Sequence, residues 1–275
     1  MIKKYRDHID NNVLRYSILD WDENILFMPT IVHLEINRND RWVPVDVSCA
    51  KFSEAISKGA RLRNKSYKQT FTDMSDDGPR GNKVFLLDTI EAVKNGDFGP
   101  SWDDFIYSLI DGRLFLIITA RGHEPETIKK GVEWIIYNYL TDDQRRHMKD
   151  NLMKFHELFG YAPEDAIRHF LDLSDYVGVM SDYFKETFDV PDMKISQLVG
   201  YGKSLAIKRF LDRVRGYSKE VGLPAKVGFS DDRSRTVDEV GEFLSGEKFL
   251  DGVNDHDIKY YIFDTSGNGK KKIRL

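Results

Sequence analysis

The chain has 275 residues, with 41 Lys and Arg against 45 Asp and Glu, a formal charge of −4 at pH 7. That near balance excludes a protein drawn to nucleic acid by bulk charge, and 41% hydrophobic with 31% charged residues is the mixture of a globular chain with a core of its own. Cys49 is the only cysteine, which excludes a disulfide framework, a CxxC redox pair and a cysteine-rich zinc site.

In chain order, Met1 to Arg6 is basic but is followed by the polar residues 7–12, not by an apolar signal core. No apolar run approaches the roughly 20 residues that span a bilayer, so the expected compartment is the cytoplasm, with no membrane partner. Residues 16–19 read as a short buried strand that ends in Asp20-Trp21-Asp22. Residues 27–110 then interrupt the pattern. They open on a β-hairpin, with strands over 31–37 and 42–47 around a turn at Arg38-Asn39-Asp40. Short helices are expected near 51–57, 84–93 and 101–110, and residues 72–83 are a loop by composition. His33-Leu34-Glu35 has the HxE look of a zinc deaminase, but no PCxxC follows it. Lys58, Arg61, Arg63, Lys65 and Lys68 place five positive charges in eleven residues, beside Tyr67 and Phe71. This arm is either a solvated face or a grip on a phosphate-rich partner such as a nucleic-acid end.

A second strand over 114–118 ends in Thr119-Ala120-Arg121-Gly122. Pro125 opens a helix whose stripe is Ile128, Val132, Ile135, Ile136 and Tyr139. Residues 141–195 read as wholly helical. Thr141 to Gln144 is a capping box for a helix that carries Met148, Leu152, Phe155 and Phe159 and stops at Gly160, and Pro163 starts another with Ile167 and Phe170. Ser204 is expected to cap a helix that ends at Gly216, which puts Lys203 at a helix start. A cation there opposes the helix dipole and suits a task elsewhere, with Lys208 as the competing lysine. Gln197 stands where a phosphate-binding P-loop would need its first glycine. A strand over 226–229 ends in Ser230-Asp231-Asp232, Thr236 to Glu239 is a further capping box, and residues 260–263 form the last strand. Residues 264–269 imitate half an EF-hand loop, but its twelfth position is Leu275, so a turn is expected. The tail Lys270, Lys271, Lys272 and Arg274 reads as solvated.

Strands alternating with helices predict an α/β fold with a Rossmann-like three-layer α/β/α core around a parallel sheet. Ligands bind outside the carboxyl ends of such strands, so the three polar clusters are expected to share one site. Asp20 and Asp22 can divide nucleophilic attack and proton transfer between them. Two acids so close repel, and hard oxygen ligands with open positions suit Mg²⁺, to which Asp231 and Asp232 can add. Thr119 with the following amides can hold a phosphate oxygen, and Arg121 either reaches that anion or lies on the surface.

At this point the chain resembles the haloacid dehalogenase superfamily of phosphohydrolases. The resemblance lies in Ile18-Leu19-Asp20-Trp21-Asp22, in Ile117-Ile118-Thr119-Ala120-Arg121-Gly122, in Lys203 of GKSLAIKRFL, and in Gly228-Phe229-Ser230-Asp231-Asp232. It implies that Asp20 is the nucleophile that becomes an aspartyl-phosphate and that Asp22 is the acid, then the base. Thr119, Ala120, Arg121 and Lys203 would hold the phosphoryl group. Mg²⁺ would be held by Asp20, the backbone carbonyl of Asp22, Asp231 and Asp232. Asp22 itself points to phosphate, because the carbon–halogen hydrolases of this superfamily lack that second acid. Asn24 departs from the Thr or Val that the family often has there. The resemblance also divides the chain into a core (1–26, 111–140, 196–275) and two cap-like insertions (27–110, 141–195). The expected activity is a Mg²⁺-dependent phosphatase acting on a phosphorylated small molecule, with a nucleic-acid end as a special case. The alternatives are a phosphotransferase or a non-catalytic protein of the same fold that binds a phosphorylated ligand.

Overall fold

The computed structural model describes residues 13–154, 162–191, 193–245, 258–266 and 271–274. Its main sheet has six strands: β1 (Leu14–Asp20), β5 (Phe115–Thr119), β6 (Asp175–Gly178), β7 (Ala225–Asp231), β8 (Ile258–Asp264) and β9 (Lys271–Arg274). Their order is β6-β5-β1-β7-β8-β9. The first five are parallel, and β9 closes the edge antiparallel to β8. A parallel sheet is covered on both faces, so its strands read as unbroken apolar runs. β5 is buried along its whole length.

Period-2 alternation sends Leu19, Phe115 and Ile117 to one face and Ile18, Leu116 and Ile118 to the other. On the first face lie α3 (Val84–Asn95), α4 (Trp102–Ile110), α5 (Pro125–Asn138), α6 (Asp142–Met153) and α7 (Ala166–Leu173). On the second lie α8 (Asp182–Thr187), α9 (Ile195–Val221) and α10 (Ser234–Ser245). The result is the expected three-layer Rossmann-like α/β arrangement.

A separate antiparallel sheet, β3-β2-β4, is built from β2 (Ile31–Arg38), β3 (Arg41–Ser48) and β4 (Arg61–Leu62). Asn39 and Asp40 turn the hairpin with φ of 51° and 59°, the left-handed pair that a two-residue turn matched to strand twist demands. With α1 (Phe52–Ser57) and α2 (Tyr67–Thr70) this sheet wraps a small core of Val32, Leu34, Cys49 and Ala60.

Several expectations are corrected. Residues 141–195 are not wholly helical, because β6 pairs in parallel with β5 there. Of these residues Met148, Leu152, Ile167 and Phe170 pack into the same core as Phe115, while Met180, Asp182 and Lys185 line the cavity of the site. Likewise only the first part of 27–110 forms the small sheet, while α3 and α4 join the main core through Phe85 and Phe105. Ser204 does not cap a helix. It lies inside α9, 27 residues long, which ends not at Gly216 but at Gly222 with φ 63°. Thr236 is likewise inside α10. Lys271–Arg274 of the basic tail form strand β9. Phe155, Phe159, the stop at Gly160, the N-terminal residues 1–12 and most of the EF-hand-like turn lie outside the described residues. Among the described residues no helix is long and apolar enough to cross a membrane.

Candidate active site

The carboxyl ends of β1, β5 and β7 meet at one crevice. Asp20 and Asp231 are the last residues of β1 and β7, and both are buried. Lys203, in the third turn of α9, reaches between them. Its Nζ donates to Asp20 Oδ1 at 2.8 Å and to Asp231 Oδ2 at 2.7 Å. Gly202 lets the helix come this close, because a Cβ there would stand 3.0 Å from Phe184 Cζ and 3.2 Å from Val179 Cβ. Lys208 instead pairs with Asp212 on the exposed face of the helix, so Lys203 is the lysine of the site.

Asp232 completes an acidic group in which ligand oxygens of Asp20, Asp231 and Asp232 all lie within 4.8 Å of one another. Burial raises the Asp20 carboxyl well above its usual range, and the neighbouring acids add to this against Lys203. Burial and the Asp231 charge push Asp232 up to about 7. The two carboxylates hold the Lys203 ammonium above its ordinary value despite burial. Lys203 and Arg233 both face these three carboxylates, which still leaves negative charge in excess when all ionise, and Asp232 Oδ1 is buried without a hydrogen-bond partner. A hard divalent cation such as Mg²⁺ fits that donor set and that charge.

Asp22 sits differently. The chain leaves β1 at Trp21 and turns sharply, with Glu23 at φ 61° and the Ile25 and Leu26 amides bonded to the Trp21 carbonyl. This turn carries the Asp22 carboxylate away from the acidic group, although both aspartates line one cavity. Thr119 Oγ1 donates to Asp22 Oδ2 at 3.0 Å, and Arg121 binds both oxygens. Burial would raise this carboxyl, but Arg121 and Thr119 outweigh it and hold it below its ordinary value. Arg121 is therefore buried, not on the surface. It also donates to Thr30 Oγ1 at 2.9 Å, and its Nη1 has no partner. Cys49 Sγ lies 3.8 Å from Asp22 Oδ1, and burial together with that charge keeps its thiol well above its usual value.

Ala120 and Gly122 line the same cavity. Gly122 donates its amide to the Met74 carbonyl at 2.8 Å, which draws the 72–83 loop onto this turn. Asp76 of that loop accepts from His123 Nδ1, the Glu124 amide and Thr127 Oγ1, capping the start of α5.

Two features escape a reading of the sequence. Asn24, fully buried, donates through Nδ2 to the Asp20 and Ser230 carbonyls and to Ser230 Oγ. Its Oδ1 accepts from Ser101 and Thr265. It thus ties the ends of β1, β7 and β8 together, and the Asp20–Asp231 spacing rests on it. The basic arm is also more neutral than its composition. Lys58 pairs with Glu54, Arg61 with Glu35 and Arg63 with Asp46. Arg61 further stacks over Trp42, with its guanidinium carbon 3.8 Å from the ring centre.

No family model matches this chain, and neither a curated protein nor a solved structure matches it.

Proposed function

We propose that the chain is a Mg²⁺-dependent phosphomonoesterase that works through an aspartyl-phosphate on Asp20, as its resemblance to the haloacid dehalogenase superfamily implies. The observation that carries this reading is the bridge from Lys203 to both Asp20 and Asp231, beside Asp232 and in one cavity with Asp22.

Asp20 attacks phosphorus as the bond to the leaving oxygen breaks, and Asp22 gives that oxygen its proton. Water then attacks the phosphorus, Asp22 takes the water proton, and the bond to Asp20 breaks to release phosphate. Asp22 rests ionised against Arg121, ready as a base. An incoming phosphate competes for Arg121 and, by its own charge, raises the Asp22 carboxyl toward the protonated form that the first step needs. Lys203 keeps Asp20 oriented and offsets charge on the phosphoryl oxygens, while Ala120 and Arg121 line the same cavity and Thr119 holds Asp22. Mg²⁺ would be held by Asp20, Asp231, Asp232 and the Asp22 carbonyl, and would supply positive charge that offsets part of the carboxylate and phosphoryl charge.

The substrate is a phosphorylated small molecule, since the basic arm is largely neutralised by its own acids. The test is hydrolysis of a generic aryl phosphate with Mg²⁺, lost on adding EDTA. Ordinary turnover by Asp20→Asn refutes the nucleophile assignment. A second reading has its own support: Asp22 is engaged by Arg121, as in a protein that binds a phosphorylated ligand without hydrolysing it. Tight binding with no turnover across a broad phosphate panel favours it.

A further inference from the structure

The small antiparallel unit turns a wall of rings toward the acidic centre. Phe71 stands 5.4 Å from Phe52 at 67° and 5.4 Å from Tyr67 at 34°. All three line the cavity that contains Asp20 and Lys203. The cavity has a volume of about 780 Å³, far more than a phosphoryl group needs and within the range of pockets that enclose a whole small ligand. Tyr67 is 38% exposed, and Phe52 and Phe71, which also pack against the unit's own core, are only half-buried, so part of this apolar surface is left over. Polar groups edge the wall. Lys68, Thr72 and Asp77 line the same cavity, and Lys68 has no ion-pair partner among the described residues. A saturated chain would match a wholly apolar wall. Ring faces edged by a cation, a hydroxyl and a carboxylate match a flat heteroaromatic ring with donors and acceptors on its rim.

We propose that the organic part of the substrate carries a heteroaromatic ring that stacks on the Phe52–Phe71–Tyr67 wall, making nucleoside monophosphates its class. This rests on the phosphate-ester reading of the Asp20 centre and goes beyond it, since nothing in the chemistry at phosphorus calls for rings. The wall and the centre share one cavity, so a ligand of this kind engages both at once.

The experiment is calorimetric titration of Asp20→Asn protein with adenosine 5′-monophosphate and with ribose 5-phosphate, which share the ribose and the 5′-phosphate and differ in the base. The nucleotide is expected to bind about tenfold more tightly, the effect of one stacked base. Adding Tyr67→Ala or Phe71→Leu should bring that ratio toward one. Equal affinities with the wall intact, or a ratio unmoved by both wall variants, overturns the proposal. If Phe71→Leu loses its folded circular-dichroism spectrum, the more exposed Tyr67→Ala carries the test. Hydrolysis by the unsubstituted protein is read separately. The expected ratio without hydrolysis of either ester removes the phosphatase reading and leaves the ring subsite. Hydrolysis of both with equal affinity removes the ring subsite and leaves the phosphatase.

Discussion

Arg121 grips the Asp22 carboxylate with two nitrogens, Nη2 at 2.7 Å from Oδ1 and Nε at 2.9 Å from Oδ2. Both side chains are largely removed from water, so the pair is held by geometry in a low dielectric. Arg121→Met should therefore cost about 3–5 kcal/mol in urea unfolding, because it leaves a buried carboxylate unpaired. Asp22→Leu added to it should restore most of that loss. An Arg121→Met protein as stable as its parent shows that the pair does not form in solution.

The two candidate lysines separate cleanly. Lys203→Gln removes the ammonium that bonds both Asp20 and Asp231, and should lower phosphatase turnover by about 10²-fold or more. Lys208→Gln removes only an exposed pair with Asp212 and should leave turnover unchanged. Steady-state kinetics on the two variants decides the assignment, and a loss confined to Lys208→Gln would reverse it.

Asn24→Leu keeps the volume but removes the acceptor of the buried Thr265 hydroxyl and the donor to the Asp20 and Ser230 carbonyls. An expected loss of at least about 2 kcal/mol follows from leaving such groups unsatisfied. Asn24→Asp should be no milder. It keeps the acceptor but turns a second oxygen toward the Asp20 and Ser230 carbonyls, where the amide now donates. Urea midpoints for both variants provide the measurement.

His123 predicts an acid-side slope. Its ring is fully buried, and burial holds it below its ordinary value of 6.5. Below pH 6.5 the unfolded chain binds a proton that the folded chain does not, so stability falls as pH falls from there toward the lower folded value. The slope is at most about 1.4 kcal/mol per pH unit. His123→Asn removes the group, so the difference in stability between parent and variant should vary with pH in that window. A constant difference would show that His123 does not titrate between the two states.

Metal binding has a readout independent of turnover. Mg²⁺ at 100 times its Kd should stabilise the folded protein by about 2.7 kcal/mol. Asp231→Asn, which removes one of the three clustered acids, should abolish the shift in thermal unfolding. An equal shift in that variant would place the ion elsewhere.

The strand most plainly legible in the sequence, β5, is the one whose burial is total. Residues 115–119 are apolar up to Thr119, and nothing but a covered parallel strand fits them. β6 was hidden because it is four residues long, begins at Asp175 and lies at the sheet edge. The first turns of α9 were hidden by Gly200 and Gly202, which read as breakers but are small because Glu239 and Phe184 crowd them. Asp20, Asp231 and Lys203 could be found because strand ends and an oddly placed cation mark them. The helix-start argument for Lys203 was nevertheless wrong, since it lies well inside the helix. Asn24 could not be assigned its task, because its partner Ser230 is 206 residues away and no local pattern links them. The paired state of the arm was equally out of reach, since Glu35 and Asp46 meet it only once the hairpin folds.

The clasp between Met74, Asp76 and the Gly122–Thr127 turn has an evolutionary corollary. The ring-bearing unit cannot be exchanged as a cassette for another specificity module, because its trailing loop is stitched to the very turn that supplies Arg121. Any graft that cuts within residues 72–83 must redraw that turn as well, so new preferences are more readily reached by point changes on the ring wall than by swapping the unit.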